Sequence, residues 1–408
     1  MIKKVVVWVL LCALLIVPVN GSVFAIEDET GLKDENKQSN ENENAPLLEN
    51  VPFEIKANSA LLMAANTGEI IFEMNSNEKR PIASITKIMT MLLVMEAIAE
   101  NKISLNDVVV ASENAAGMGG SQVYLAVGEE FTVHDLLKAV AVHSANDASV
   151  ALAEHVAGSE GVFVSMMNEK AKELGMTNTN FLDCSGLTDE GHYSTAHDIA
   201  IMARELITKY PLIMEYTTIK HDTFRNGTFD LDNTNHLIGK YRGMTGLKTG
   251  FTNAAGFCLA ATASRDGLDL ISVILGAESM SLRFSETAKM LDYGFSNYEI
   301  MRIERKGAIA GNVKVRKGLG LSVPVAYEDN KSVLLKRGQR DKVKEEIRLP
   351  EHVNAPVSAG DKAGEVVLIL DNKEILRIPL LATENIEKAT WFKFFLRLTL
   401  HWFSLSRK

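Results

Sequence analysis

Pro81-Ile82-Ala83-Ser84-Ile85-Thr86-Lys87-Ile88-Met89-Thr90 leads into a strongly apolar run that reaches Ile98. A proline ahead of such a run marks a helix start. On that helix Ser84 and Lys87, three residues apart, share one face of the first turn. Met89, Leu92, Leu93 and Ala97 keep helical spacing with little polar surface, so the helix is expected to be enclosed by its own domain. Two short motifs follow in order, Ser144-Ala145-Asn146 and Lys248-Thr249-Gly250. Singly, each is common. In this order, on a helix start, a loop within a helical region and a strand, they form a specific pattern for acyl transfer on serine.

The residue types explain the pattern. A serine hydroxyl is a weak nucleophile until a base takes its proton. Lys87 reaches Ser84 but must spend time neutral, and burial together with a second cation, Lys248, lowers its pKa. Ser144 is suited to relay a proton between Lys87 and a leaving group. Asn146 offers an amide to hold both the lysine and a substrate carbonyl. Thr249-Gly250-Phe251 reads as an exposed strand edge to which an extended peptide adds by backbone hydrogen bonds. The N–H groups of Ser84 and Phe251 are candidates for an oxyanion hole. Lys248 and the Thr249 hydroxyl make a positive, hydrogen-bonding end for a carboxylate.

Around these motifs, Ala60 to Ala64 and Glu69 to Glu73 read as a hairpin turned by Asn66-Thr67-Gly68. Thr132 to Ala157 reads as helix interrupted or re-aimed around His143 to Asn146, with further helices over Val162 to Leu174 and Thr195 to Lys209. Thr245 to Thr249, Phe257 to Ser264 and Leu268 to Gly276 follow as consecutive strands, then a helix from about Ser281 to Tyr293. This order predicts an α/β (α+β) domain over 51–299, with one antiparallel sheet whose first and last elements pair and whose faces carry helices. Past Tyr298, short alternating strands and Gly or Asn/Asp turns predict a small all-β domain over 300–384, read as a spacer.

The ends differ in character. Lys3 and Lys4, the apolar stretch Val5 to Val17 and Val23-Phe24-Ala25 form an export signal over 1–25. Residues 26–50 carry eight acidic residues against two lysines and predict a disordered linker. Over 387–408, Lys393, Arg397 and His401 recur every four residues among aromatics and leucines. That predicts an amphipathic helix lying in a membrane interface rather than spanning it. The formal charge of −9 argues against nucleic acid as a partner. Cys184 and Cys258, the two cysteines beyond the leader, are read as free buried thiols. The histidines lack His-Glu-x-x-His or related spacing, so no metal or cofactor is expected; His192 and His197 are read as bracing a loop beneath the site.

With these residues in view, the chain resembles the low-molecular-mass penicillin-binding proteins that act as D-alanyl-D-alanine carboxypeptidases, peptidase family S11, in their two-domain, membrane-associated form found in endospore formers. The likeness runs from about Ala60 to Leu380. It includes Pro81 to Thr90, Gly119-Gly120-Ser121, Ser144 to Ala148, Gly186-Leu187, Gly191-His192-Tyr193-Ser194-Thr195-Ala196 with Asp198, and Gly246 to Gly250. The resemblance implies a serine β-lactamase/transpeptidase-like domain and removal of the terminal D-alanine from peptidoglycan pentapeptide stems through an acyl-enzyme on Ser84. It implies β-lactams as covalent inhibitors and a location on the outer face of the cytoplasmic membrane. It also implies that Arg283, in Leu282-Arg283-Phe284, binds the substrate carboxylate beside Lys248, Thr249, Gly250 and Phe251. His236 stands where the family commonly has an arginine, Thr245 where an acid is frequent, and Phe251 sets a large ring beside an oxyanion donor. Two other readings are a β-lactamase of the same fold and a catalytically silent wall-binding protein. No Glu-bearing loop between the second and third motifs supports the former, since Glu169 and Glu173 fall within an ordinary helical pattern.

Overall fold

The structure is a computed structural model that describes residues 53–188, 190–390 and Phe395. The export signal, the acidic linker and most of the amphipathic 387–408 segment fall outside the described residues.

Strands β1 (Ser59–Ala64) and β2 (Ile70–Met74) form the expected hairpin. The helical middle comprises α1 (Lys87–Ala99), α2 (Asn146–Ala157), α3 (Glu160–Glu173) and α4 (Ala196–Lys209). Ser159 and Thr195 cap α3 and α4 by accepting from the N–H groups of Val162 and Asp198. The chain then runs through β3 (Met244–Thr252), β4 (Gly256–Arg265) and β5 (Leu268–Ala277) into α5 (Met280–Asn297). The five strands make one antiparallel sheet in the order β2-β1-β5-β4-β3. The first and last parts of the domain thus meet where β1 pairs with β5, Leu62 opposite Ser272.

Strand alternation explains why these runs are apolar throughout. Leu61, Met63, Ile271 and Val273 enter the core built with α1, α2 and α4. Their neighbours Leu62, Ala64, Leu270 and Ile274 pack on Met290, Leu291 and Phe295 of α5. Both faces are covered, so neither position of the two-residue repeat is left to water. The helix α1 lies inside this core, with Met89, Met91 and Val94 fully buried.

The helical stretch 133–157 is interrupted at Ser144, as one of the two sequence readings has it. An α-helical turn over Val133–Lys138 widens to a π-turn over Ala139–His143, Ser144 takes a left-handed conformation (φ 67°), and α2 starts afresh at Asn146. Wide turns of this kind concentrate at functional sites because they re-aim the residues that follow.

The C-terminal part is all-β. Strands β6 (Tyr298–Ile303), β7 (Ile309–Arg316), β8 (Ser322–Tyr327), β9 (Lys331–Lys336), β10 (Lys344–Arg348), β11 (His352–Asn354), β12 (Lys362–Leu370) and β13 (Lys373–Ala382) build a six-stranded sheet, β10-β12-β13-β8-β7-β11, and a β6-β9 ribbon. The compositional boundary at 299/300 falls inside β6. That ribbon has two apolar faces: Ile300 and its partner Leu334 join the core of the first module, while Val333 and Leu335 join that of the second. The ribbon therefore belongs to both cores.

Candidate active site

Ala83 adopts a left-handed conformation (φ 47°) and opens a 3₁₀ turn, Ala83–Thr86, that precedes α1. Non-glycine residues avoid that region, and such strain concentrates at functional sites. The helix start expected at Ser84 is thus a 3₁₀ turn, in which residues three apart eclipse one another. Ser84 and Lys87 stand in line as a result, and Lys87 Nζ donates to Ser84 Oγ over 2.9 Å. The same ammonium donates to Asn146 Oδ1 (2.6 Å) and to the Ser185 carbonyl (2.7 Å), which accounts for its three donors. Lys87 is fully buried and Ser84 is half-buried. Burial pulls the Lys87 pKa down to about 7, against the opposing pull of Cys184, Asp183 and Asp147.

Asn146 is held on three sides. Its Oδ1 accepts from Lys87, its Nδ2 donates to the Gly119 carbonyl (2.7 Å) and its backbone N–H donates to the Ser121 carbonyl (2.7 Å). Ser144 is buried at the left-handed turn that aims Asn146, and it is not among the acceptors of Lys87.

Strand β3 forms the edge of the five-stranded sheet, and its backbone runs against the Ser84 turn. A Cβ on Gly250 would lie 2.7 Å from the Ile82 carbonyl and 3.2 Å from Ala83 Cβ, so only glycine permits this approach. Lys248 is fully buried and donates to the Thr249 carbonyl (3.1 Å). Burial lowers its pKa well below the ordinary lysine value, and Lys87 and Arg283 push it further. The Thr249 hydroxyl donates to Thr234 Oγ1 (2.7 Å). Phe251 is half exposed with its ring on Phe257, centroids 4.4 Å apart.

Arg283 lies on α5 behind this strand and is 4% exposed. Its Nη1 donates to the carbonyls of Gly250 and Cys258, each at 3.3 Å, which ties β3 to β4. Its guanidinium lies over the Phe284 ring (4.6 Å), and His236 stacks on that ring (5.3 Å). Burial pulls the Arg283 pKa down to about 10. The Arg283 Nε is buried and bonds to none of the described residues. Three cationic side chains therefore share one region with Ser84, a field suited to an anionic substrate group.

The residue-type reading did not anticipate the 183–188 turn. Asp183 accepts from the N–H groups of Ser185 (2.7 Å) and Thr188 (2.8 Å). Burial alone would raise its pKa, but hydrogen bonds from Thr188 and Gly186 and the nearby His192 outweigh it and hold the carboxyl at about 2. The turn then presents the Cys184 carbonyl to Thr90 Oγ1 (2.6 Å) and the Ser185 carbonyl to Lys87. Gly186 closes it against the Ser84 turn: a Cβ there would meet the Ala83 carbonyl at 1.9 Å. Beneath it, His192 Nδ1 accepts from the Leu182 N–H, so Nε2 carries the proton toward Thr86 Oγ1 (2.8 Å), whose hydroxyl donates to the Ala83 carbonyl. His192 therefore braces the serine turn itself. The readable signal was Asp-Cys-Ser-Gly, an Asx-turn pattern.

The comparisons with known proteins agree with this geometry. Residues 41–279 match the model of peptidase family S11, described as D-alanyl-D-alanine carboxypeptidase. Residues 298–388 match the C-terminal domain of penicillin-binding protein 5. The chain is 44% identical over 351 residues to the D-alanyl-D-alanine carboxypeptidase DacF of Bacillus subtilis (strain 168), covering 85% of this chain and 90% of that one. It is 36% identical to DacC of Escherichia coli (strain K12), over 83% and 86% of the two chains. The crystal structure of penicillin-binding protein 5 from Haemophilus influenzae superposes with a TM-score of 0.76 at 32% identity, covering 83% of this chain and 99% of that one. A serine hydrogen-bonded by a buried lysine beneath the edge strand of an antiparallel sheet, with matches of this extent, means that the chain belongs to the D-alanyl-D-alanine carboxypeptidase family of serine peptidases, S11.

Proposed function

We propose that this chain removes the terminal D-alanine from peptidoglycan pentapeptide stems through an acyl-enzyme on Ser84. The observation that carries the reading is the contact of a fully buried lysine, with a pKa near 7, to the hydroxyl of a half-buried serine.

The steps follow from the groups present. The stem adds as an extended strand along the edge of β3, and its terminal carboxylate is drawn to Lys248, the Thr249 hydroxyl and Arg283. An anion arriving there restores charge to the two depressed cations. Neutral Lys87 takes the proton of Ser84 Oγ, which attacks the carbonyl carbon of the penultimate D-alanine. The N–H of Ser84, in the first turn of its 3₁₀ segment and without an acceptor inside it, and the N–H of Phe251 receive the oxyanion. Protonated Lys87, directly or through the Ser144 hydroxyl, returns the proton to the departing amine, and free D-alanine leaves. Water, deprotonated by Lys87, then cleaves the ester and restores Ser84.

β-Lactams acylate the same serine and leave slowly. Asp147 and Asp183, whose charges act on Lys87, are each filled by backbone N–H groups, which leaves neither as a ready base for rapid deacylation. Glu173, a candidate from the sequence, instead pairs with Lys170 on α3.

The protein acts outside the cytoplasm. No helix among the described residues is long and apolar enough to cross a membrane, and the cationic, aromatic composition of 387–408 supports attachment to an anionic membrane surface.

The test uses the full chain purified in detergent. D-Alanine release from a diacetyl-Lys-D-Ala-D-Ala peptide and a stable adduct with fluorescent penicillin are expected, both lost in Ser84→Ala. Rapid penicillin turnover without D-alanine release would identify a β-lactamase instead. Membrane attachment is tested by fractionation with and without residues 387–408, where unchanged partitioning refutes it.

A further inference from the structure

Tyr124 combines three properties that packing does not explain. It is 67% exposed, it adopts a left-handed conformation (φ 56°), and its backbone is anchored from both sides. The flanking N–H groups of Val123 and Leu125 donate to the Asp147 carboxylate, at 3.1 and 3.0 Å to Oδ2. Arg225 donates to the carbonyls of Val123 and of Tyr124 itself. The buried side chains of Val123 and Leu125 anchor the segment in the core, while the ring between them is turned out to solvent. A large aromatic held in an unfavourable conformation, in water, points to function rather than to stability.

Two connections run from this ring to the second motif. The Tyr124 ring meets Phe229 edge-on (6.2 Å), and Phe229 meets His143 edge-on (5.4 Å), the residue before Ser144. Along the backbone, Ser121 receives the Asn146 N–H, and Asp147, the next residue, holds the N–H groups around Tyr124. The ring is thus in fixed relation to Asn146 and Lys87. The nearby cation is already engaged: Arg225 forks onto both Glu129 oxygens (2.8 and 2.7 Å) and lies beside the stacked Phe131–Phe224 pair, 5.3 Å from each centroid. Tyr124 and Phe229 offer aromatic ring surface, which suits aliphatic C–H groups.

We propose that Tyr124, backed by Phe229, forms an aromatic subsite that packs against the aliphatic side chain of the residue immediately preceding the D-Ala-D-Ala terminus of the substrate. This rests on the carboxypeptidase reading of the cleft. An extended chain advances about 3.3–3.6 Å per residue, so a long side chain on that residue reaches roughly 10 Å from the attacked carbonyl, comparable to the two ring-to-ring steps, 6.2 and 5.4 Å, that lead from Tyr124 through Phe229 to His143. The role is one of specificity: Tyr124 selects what the cleft acylates and takes no part in proton transfer.

The experiment compares the full-length wild type, Tyr124→Ala and Tyr124→Phe on diacetyl-L-Lys-D-Ala-D-Ala and on acetyl-L-Ala-D-Ala-D-Ala, which lacks the long side chain. Acylation by 6-aminopenicillanic acid, which has no acyl side chain, reports an intact cleft. Tyr124→Ala is expected to lower kcat/KM on the lysyl peptide about tenfold, chiefly through KM, with a change of about twofold or less on the alanyl peptide. Tyr124→Phe should retain the wild-type preference, and 6-aminopenicillanic acid should acylate all three proteins alike. Equal losses on both peptides, no loss on either, or slowed acylation by 6-aminopenicillanic acid in Tyr124→Ala would overturn the proposal. So would a loss seen only with a muramyl pentapeptide, which would place the contact on the sugar. A wild type that releases D-alanine from neither peptide would instead defeat the carboxypeptidase reading, a separate outcome.

Discussion

Gly250 and Ile82 meet backbone to backbone: the position of a Cβ on Gly250 lies 2.7 Å from the Ile82 carbonyl oxygen. The edge strand that would receive a substrate and the turn that carries the serine are therefore in direct contact. The oxyanion site proposed between Ser84 and Phe251 depends on that contact, since each contributes one N–H.

Gly250→Ala forces strand and turn apart. Displacing a reacting group by about 1 Å typically costs two orders of magnitude in rate. Labelling by fluorescent penicillin should therefore slow about 100-fold while thermal stability changes much less. Labelling at the wild-type rate would show that the contact is incidental.

The pH dependence of acylation follows from Lys87. Its pKa of about 7, lowered by burial, makes the neutral base the major form above pH 7 and reduces it about tenfold per pH unit below. The second-order rate of penicillin acylation should rise with pH to a plateau, with its midpoint near 7. A midpoint near the ordinary lysine value of 10.5 would show that burial does not depress Lys87, and a rate independent of pH between about 5 and 9 would exclude Lys87 as the base.

Arg283 holds β3 to β4 through the Gly250 and Cys258 carbonyls, so loss of activity in Arg283→Ala is by itself ambiguous. The comparison of a peptide acid with its C-terminal amide separates the two roles. Wild type should prefer the acid, and Arg283→Ala should lose at least tenfold of that preference, about 1.4 kcal/mol. An unchanged acid-to-amide ratio would assign Arg283 to scaffolding alone.

Asp183 organises the turn that offers the Ser185 carbonyl to Lys87. Its folded pKa, about 2, lies below the ordinary 3.8. Its contribution to stability is therefore complete above about pH 4 and is lost as pH falls through about 2. Asp183→Ala should cost about 2 kcal/mol at pH 7 by leaving backbone N–H groups unpaired. That deficit against wild type, measured by urea unfolding, should shrink between pH 4 and pH 2; a deficit independent of pH would remove the carboxylate charge as its cause.

Much of the arrangement was legible in the linear order of residues. Ser84 and Lys87 lie within one turn, so their alignment is a matter of local spacing. The strands of the sheet could be read because both faces are buried and the runs stay apolar. The backbone acceptors were not legible. Any residue type supplies a carbonyl, so nothing in the letters marks Ser185 as a partner for Lys87, 98 positions away, or Gly119 as one for Asn146. That the ribbon beginning at Tyr298 serves both modules was not legible for a related reason: average composition cannot register that alternate residues of one ribbon enter two different cores.

Reading along the chain was enough to propose which groups would perform the chemistry and to place them on their kinds of element, because periodicity and motif spacing are properties of neighbours. How closely those groups approach was set only by folding. Burial around Lys87, the glycine contacts that press β3 and the Asp183 turn onto Ser84, and the anchors that turn Tyr124 outward all join segments far apart in sequence. Desolvation and close packing arise from the whole three-dimensional surround, and no short window of residues encodes them.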